Sequence, residues 1–152
     1  MKWITRERPK IDRIACPWLI VRHIDPQPEF LFVRSDKVLS MAAETAAIPF
    51  DVPGVELSHR GEMCSFDAFL EKYSLDDPFL KQLAVIVRGA DTGRLDLARQ
   101  SPGLLAVSLG LSVLYRDDHE MLGHGLQIYD ALYAWLRDAQ DERHNWPSQA
   151  KN

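Results

Sequence analysis

Three short strand-type runs in the first fifty residues alternate with segments of helical character, and this alternation does most to limit the fold. Lys2–Thr5 is short, partly β-branched and followed by charge, Phe30–Val33 is a compact buried-type run, and Ile48–Phe50 is a third. Between them, Pro17 suits the first position of a helix, where a missing N–H leaves nothing unpaired. That helix is expected to run to about Ile24 and to stop at Asp25-Pro26-Gln27-Pro28. Ser35 or Asp36 is placed to cap a second helix reaching about Ala47. The resulting β-α-β-α-β order predicts an α/β layer.

After a turn at Pro53-Gly54, the middle of the chain reads as a hairpin: Val55–His59, a turn at Arg60-Gly61, then Glu62–Cys64. Beyond it the pattern is helical: Ser65 caps Phe66–Tyr73, and Asp77-Pro78 opens a helix to Arg88 that Gly89 closes. Leu104–Tyr115 and Asp118–Asp138 complete the set, with a break possible at Gly123 and Gly125. The expected fold class is therefore α/β or α+β, with a small sheet in the N-terminal half and a helical C-terminal half. A chain of 152 residues suits one domain, read here as residues 1–140 followed by a polar tail over 141–152.

The charge balance of −4 argues against a dedicated nucleic-acid binder, which usually carries a basic face. No apolar stretch at the N-terminus resembles a secretory signal. The longest apolar run, Leu104–Leu114, is too short and too mixed with Ser108, Gly110 and Ser112 to span a membrane. A cytoplasmic location is expected, and there Cys16 and Cys64 are free thiols rather than a disulfide. The sequence contains neither a glycine-rich phosphate loop nor a G-x-S-x-G nucleophile elbow, so no nucleotide cofactor is expected.

Four places carry candidate chemistry. In the hairpin, a two-residue turn at Arg60-Gly61 would set His59 opposite Glu62 on one sheet face, with Cβ atoms about 5 Å apart. An imidazole and a carboxylate so placed can share a metal or pass a proton; they can equally form a surface hydrogen bond beside a turn. The second place is Arg116–His124. Its histidines, His119 and His124, are separated by about 140° on an ideal helix and do not form the H-E-x-x-H zinc pair. Asp118 and His119 lie nearer the apolar stripe of Leu122, Tyr129, Leu132, Tyr133 and Leu136 than Glu120 and His124 do. Asp117 with Glu120 is also a helix-capping pattern. The third is Asp91, expected in a loop after Gly89, as a ligand, a turn residue or an arginine partner. The fourth is Cys16, which would stand at the N-cap of a helix opened by Pro17. The dipole there favours a thiolate and an oxyanion, whereas a buried Cys16 would be a small apolar residue.

These segments resemble the C-terminal domain of the bacterial chromate-resistance protein family ChrB, also called the chromate-resistance exported protein family. The likeness rests on Lys10–Leu19, Glu29–Val33, Ile48–Val55, His59–Asp67, Ile86–Asp91 and Asp117–Met121, in that order. It implies a role in chromate resistance or response, with chromate or another small oxyanion as partner. Full-length members carry an N-terminal segment associated with regulation, and a chain of 152 residues is expected to be too short to include it. Related domains also occur fused to rhodanese-like sulfurtransferases, which draws attention to thiol chemistry at Cys16.

Three functional expectations follow. The leading one is an accessory protein with a metal or oxyanion site. It uses His59, Glu62, Asp91 and His119 as ligands for a divalent ion such as zinc, iron or manganese, with Arg13, Arg22 and Arg60 attracting an anion. The second is a thiol-dependent reductase or sulfurtransferase using Cys16. The third is a sensing or interaction module without turnover. Convergence of His59, Asp91 and His119 favours the first.

Overall fold

The structure, a computed structural model, describes residues 1–146. The part of the expected polar tail beyond residue 146 lies outside the described residues. Strand β1 (Lys2–Arg6) is the centre of a three-stranded parallel sheet, flanked by β2 (Glu29–Val33) and β3 (Ile48–Pro49). Trp3 aligns with Phe30 on one side and Ile48 on the other. Successive side chains point to opposite faces. Trp3 therefore enters the large core with Phe66 and Phe69, while Ile4 enters a smaller one with Val38, Ala42, Ala47 and Val52. A parallel sheet covered on both faces explains the near-continuous apolar character of the strands. The predicted α/β order and the helical second half are both present.

Helix α1 (Asp12–Leu19) begins five residues before the expected start and takes Pro17 into its interior. It passes into a wider π-turn over Ile20–Ile24, closed by the Asp25 N–H on the Ile20 carbonyl at 2.7 Å. Local propensity placed the start at Pro17, but long-range contacts move it. Ile11, just before the helix, is held at φ 44°, ψ −99°, a conformation that a β-branched residue adopts only at a cost. Its N–H donates to Ser108 Oγ (2.8 Å) and its carbonyl accepts from Tyr129 Oη (2.9 Å), both buried. Helix α2 (Val38–Thr45), entered through a 3₁₀ turn at Ser35–Lys37, covers the far side of the sheet.

Helix α3 (Ser65–Lys72) starts with a capping box, the Asp67 carboxylate accepting from the Cys64 N–H at 3.0 Å. Helix α4 (Pro78–Asp91) is capped by Asp77, as its sequence indicates, but does not stop at Gly89. A Cβ on Gly89 would fall 2.4 Å from Ser101 Oγ. The glycine admits the start of helix α5 (Ser101–Leu114) rather than ending α4. Asp91 consequently sits in the last turn of a helix, not in a loop. Helix α6 (Asp118–Asp138) has the expected ends and is unbroken, with Asp117 accepting from the Glu120 N–H at 2.8 Å. Gly125 is there because α1 crosses against it: a Cβ would stand 2.6 Å from Ile14 Cγ2.

Candidate functional site

A cluster of three carboxylates around one imidazole lies where α1, the turn after β3, the His59 loop and the end of α4 meet. His59 Nε2 is 3.0 Å from Asp91 Oδ2, 3.2 Å from Asp51 Oδ1 and 3.4 Å from Asp12 Oδ2. Asp12 is fully buried in the first turn of α1. It crosses to the N-terminus of α3, where its two oxygens accept the Ser65 N–H (2.7 Å) and the Phe66 N–H (3.0 Å). Such free amides at a helix start favour a negative charge. Asp51 follows β3 with a left-handed backbone (φ 53°). Its carboxylate is held by Ser65 Oγ (2.6 Å), Arg6 (2.9 Å) and Arg13 (3.4 Å). Asp91 is brought in by the extra turn of α4 and accepts from the Asp12 N–H at 3.3 Å.

Three acids packed together titrate differently because their partners differ. Burial raises the Asp12 carboxyl, and the neighbouring Asp51 adds to the rise against the His59 hydrogen bond. Burial and then repulsion from Asp12 and Asp51 push Asp91 up to about 7. Burial also acts to raise Asp51, but hydrogen bonds from His59, Ser65 and Arg6 outweigh it, and its carboxyl lies below the usual value. His59 is pushed up to about 10, chiefly by its hydrogen bonds to Asp12 and Asp51. Without another cation, imidazolium is therefore the central positive charge.

The expected hairpin strands, Val55–His59 and Glu62–Cys64, are not formed; the segment runs through turns and bends and keeps one isolated antiparallel bridge, with its turn one residue later than expected. Arg60 and Met63 make the reciprocal backbone pair, at 3.0 and 2.9 Å, and Gly61-Glu62 is the turn. Gly61 takes a positive φ of 57°, as the first turn position requires. A one-residue slip reverses the faces. Glu62 is left exposed at the tip while His59 reaches the carboxylates. His119 is not among the grouped ligands either; its ring packs edge-on to Phe32 on β2. Of the four expected ligands, His59 and Asp91 converge; Glu62 and His119 do not join them, and the carboxylates of Asp12 and Asp51 stand beside His59 instead. His124 stacks on Tyr115, and Asp118 accepts from the Arg8 N–H at 3.0 Å.

Among the arginines, Arg13 reaches the cluster through Asp51. Arg22 is committed to Asp130 of α6 by two hydrogen bonds at 2.9 and 2.8 Å. Arg60 is paired with Glu71 of α3 at 3.1 Å. Cys16 lies within α1 and not at its N-cap, so the dipole that would favour a thiolate is not offered to it. Its thiol is buried and donates to Asp12 Oδ1 at 3.3 Å. Burial, then the Asp12 charge, raise it well above the ordinary thiol value. Cys64 is likewise buried and raised by burial and by Asp12 and Asp67.

In Asp12, His59 and Asp91, one ligand atom from each lies within 4.8 Å of the others, the arrangement that can hold a metal ion. With bonds of about 2.1 Å, neighbouring ligand atoms of a tetrahedral site are about 3.4 Å apart. The Nε2–oxygen separations already fall close to that spacing. Sequence reading missed Asp12 and Asp51 as site members, although both fall inside the distinctive stretches Lys10–Leu19 and Ile48–Val55.

A small parallel sheet backed by helices, with a partly exposed histidine set among three carboxylates at their junction, defines an α/β domain with a histidine–carboxylate cluster. Over residues 3–136 the chain matches the family described as ChrB, C-terminal domain. It is 32% identical over 133 residues to Protein ChrB of Cupriavidus metallidurans, a match covering 87% of this chain and 40% of that protein. The chain belongs to the ChrB C-terminal domain family and spans about 40% of the length of that relative. No solved structure matches it. No helix among the described residues is long and apolar enough to cross a membrane.

Proposed function

We propose that this domain serves chromate resistance by holding one divalent first-row metal ion between His59, Asp91 and Asp12, with Asp51 beside it. The convergence of one nitrogen and two carboxylate oxygens within 4.8 Å carries the reading. Two oxygens and one imidazole suit zinc, manganese or iron. Three protein ligands leave an open position, as in sites where a metal binds an exchangeable ligand. A small oxyanion such as chromate is the ligand expected there, with Arg6 and Arg13, both paired with Asp51, as positive charges beside the cluster. Arg13 and Asp51 together orient the cluster, and the metal supplies Lewis acidity toward the anion.

The protein should bind about one ion per chain, measured by elemental analysis after dialysis. At a free metal concentration of about 100 times Kd, binding stabilises the fold by about 2.7 kcal/mol. That raises Tm by about 5–10 °C in a domain of this size. His59→Ala should lose both the ion and the rise. Absence of bound metal together with an unmoved Tm, across zinc, manganese and iron(II), would sink the reading. Thiol catalysis at Cys16 has weaker support, because the N-cap placement on which it depended is not found.

A further inference from the structure

We infer that Arg88 and Asp67, neither of them among the three grouped ligands, are positioning residues that fix the spacing between Asp12 and Asp91. The inference rests on the ion lying between His59, Asp91 and Asp12. The two aspartates reach that site from separate elements. Asp12 is tied to the start of α3 through the Ser65 N–H (2.7 Å) and the Phe66 N–H (3.0 Å). Asp91 stands in the last turn of α4. The distance between them is therefore set by how the start of α3 meets the end of α4. Asp91 does accept from the Asp12 N–H, but at 3.3 Å this bond is too long to hold the spacing by itself.

The Arg88–Asp67 pair spans the junction. Arg88 Nε and Nη2 donate to Asp67 Oδ2 (2.9 Å) and Oδ1 (2.7 Å), a two-pronged bond that fixes direction as well as distance. The Asp67 side chain is 8% and the Arg88 side chain 20% exposed, so the pair is largely shielded from solvent. Asp67 directly follows the two amides that hold Asp12, and it also accepts from the Cys64 N–H. Arg88 precedes Asp91 by about one helical turn, a spacing at which two side chains share a face. That turn is closed on Arg88 itself, whose carbonyl accepts both the Thr92 N–H (3.0 Å) and Thr92 Oγ1 (2.7 Å). Apolar packing is thin at this point: cavities of about 380 and 270 Å³ share Arg88 and Met63 in their walls. The ion pair bridges what side-chain packing leaves open.

Positioning and charge predict opposite signs. Removing the Arg88 charge near three carboxylates would, through charge alone, favour a divalent cation. Losing the spacing disfavours it. The test uses the whole chain and three variants. Arg88→Lys keeps the charge without the fork, and Arg88→Gln removes both. Arg22→Gln breaks the two-pronged pair with Asp130, which lies elsewhere. Zinc affinity is measured by competition with a chromophoric chelator, at a temperature where circular dichroism shows every variant folded. Amide hydrogen exchange at Asp12, Ser65 and Phe66 is followed by NMR in metal-free protein. Each rate is referred to the slowest amides of the same variant, which cancels changes in global stability.

Both Arg88 variants should weaken zinc binding about tenfold, the lower end of the range for residues that orient ligands. Their three amides should exchange about tenfold faster, as when a charge-assisted hydrogen bond no longer holds the junction. Arg22→Gln should change neither quantity, even where it lowers Tm. Zinc binding that is unchanged or tighter in Arg88→Gln overturns the inference. So does exchange at the three amides no faster than in Arg22→Gln. A wild type that takes up no zinc, with exchange still accelerated in both Arg88 variants, counts against the metal reading while supporting the spacing role.

Discussion

The imidazole at the centre of three carboxylates makes the stability of the metal-free protein depend on pH in a defined direction. Consider His59→Gln in protein stripped with a chelator. The folded His59 pKa is raised from 6.5 to about 10, so the folded state holds the proton more tightly than the unfolded chain does. The stability this confers is fully present below about pH 6.5 and is lost as pH rises through about 10. For an enclosed group, a rise of this size at about 1.4 kcal/mol per unit would exceed 4 kcal/mol. The His59 side chain is 40% exposed, and solvent screens most of that, leaving about 1–2 kcal/mol. Urea unfolding at pH 6, 8 and 10 should therefore show the variant less stable by about 1–2 kcal/mol at pH 6, with the difference shrinking toward zero at pH 10. A deficit that is constant over this range would mean that His59 stabilises by packing alone. A deficit that grows with pH would refute the charge argument outright.

Asp91→Asn should stabilise the metal-free protein by about 1 kcal/mol above pH 7, because the raised Asp91 pKa confers stability that is present below 3.8 and lost as pH rises through about 7; the same variant should lose the metal-induced rise in Tm. Metal affinity should climb with pH from 6 to 9, since the ion must displace the His59 proton, and calorimetry in buffers of different ionisation enthalpy would count the protons released. Tyr129→Phe removes the hydroxyl that holds the Ile11 carbonyl and should cost about 1–3 kcal/mol, the desolvation cost of an unpaired buried acceptor, with weakened metal binding in the folded fraction. Cys16 should resist alkylation by iodoacetamide in the native state at pH 8 and react only on unfolding, since it is buried with a raised pKa; mass spectrometry of labelled peptides reads this directly.

Local chemistry was a good guide where local chemistry decides. The strands followed from β-branched and aromatic runs, the α4 start from Asp77-Pro78 and the α6 start from Asp117 with Glu120. Tertiary contacts decided the rest. The start of α1 depends on Asp12 reaching α3, which no local pattern announces. Gly89 looks like a stop signal because a glycine required by a close approach and one required by a cap are the same letter; the extra turn it permits is what delivers Asp91. At the isolated Arg60–Met63 bridge the choice between Arg60-Gly61 and Gly61-Glu62 as the turn is a shift of one residue, and it reverses which of His59 and Glu62 meets the cluster. His59 and Asp91 were found through their chemistry. Asp12 and Asp51 were not, because a carboxylate beside a helix start or a Pro-Gly turn looks like a cap or turn residue until the fold brings it to a histidine.

Asp12 joins the start of one helix to the start of another. Its four strongest acceptor positions are taken by the Ser65 and Phe66 amides, the Cys16 thiol and the His59 ring. Only the His59 position faces the cluster, so an ion can take that one without disturbing the other three. Shortening or neutralising the side chain would, by contrast, uncap α3 and remove a ligand in the same stroke. A library selected for folding would therefore retain Asp12 whether or not the ion mattered, whereas Asp91 could drift to asparagine with a gain in stability. Whether aspartate persists at position 91 under selection for function is then the clearer sign of metal use.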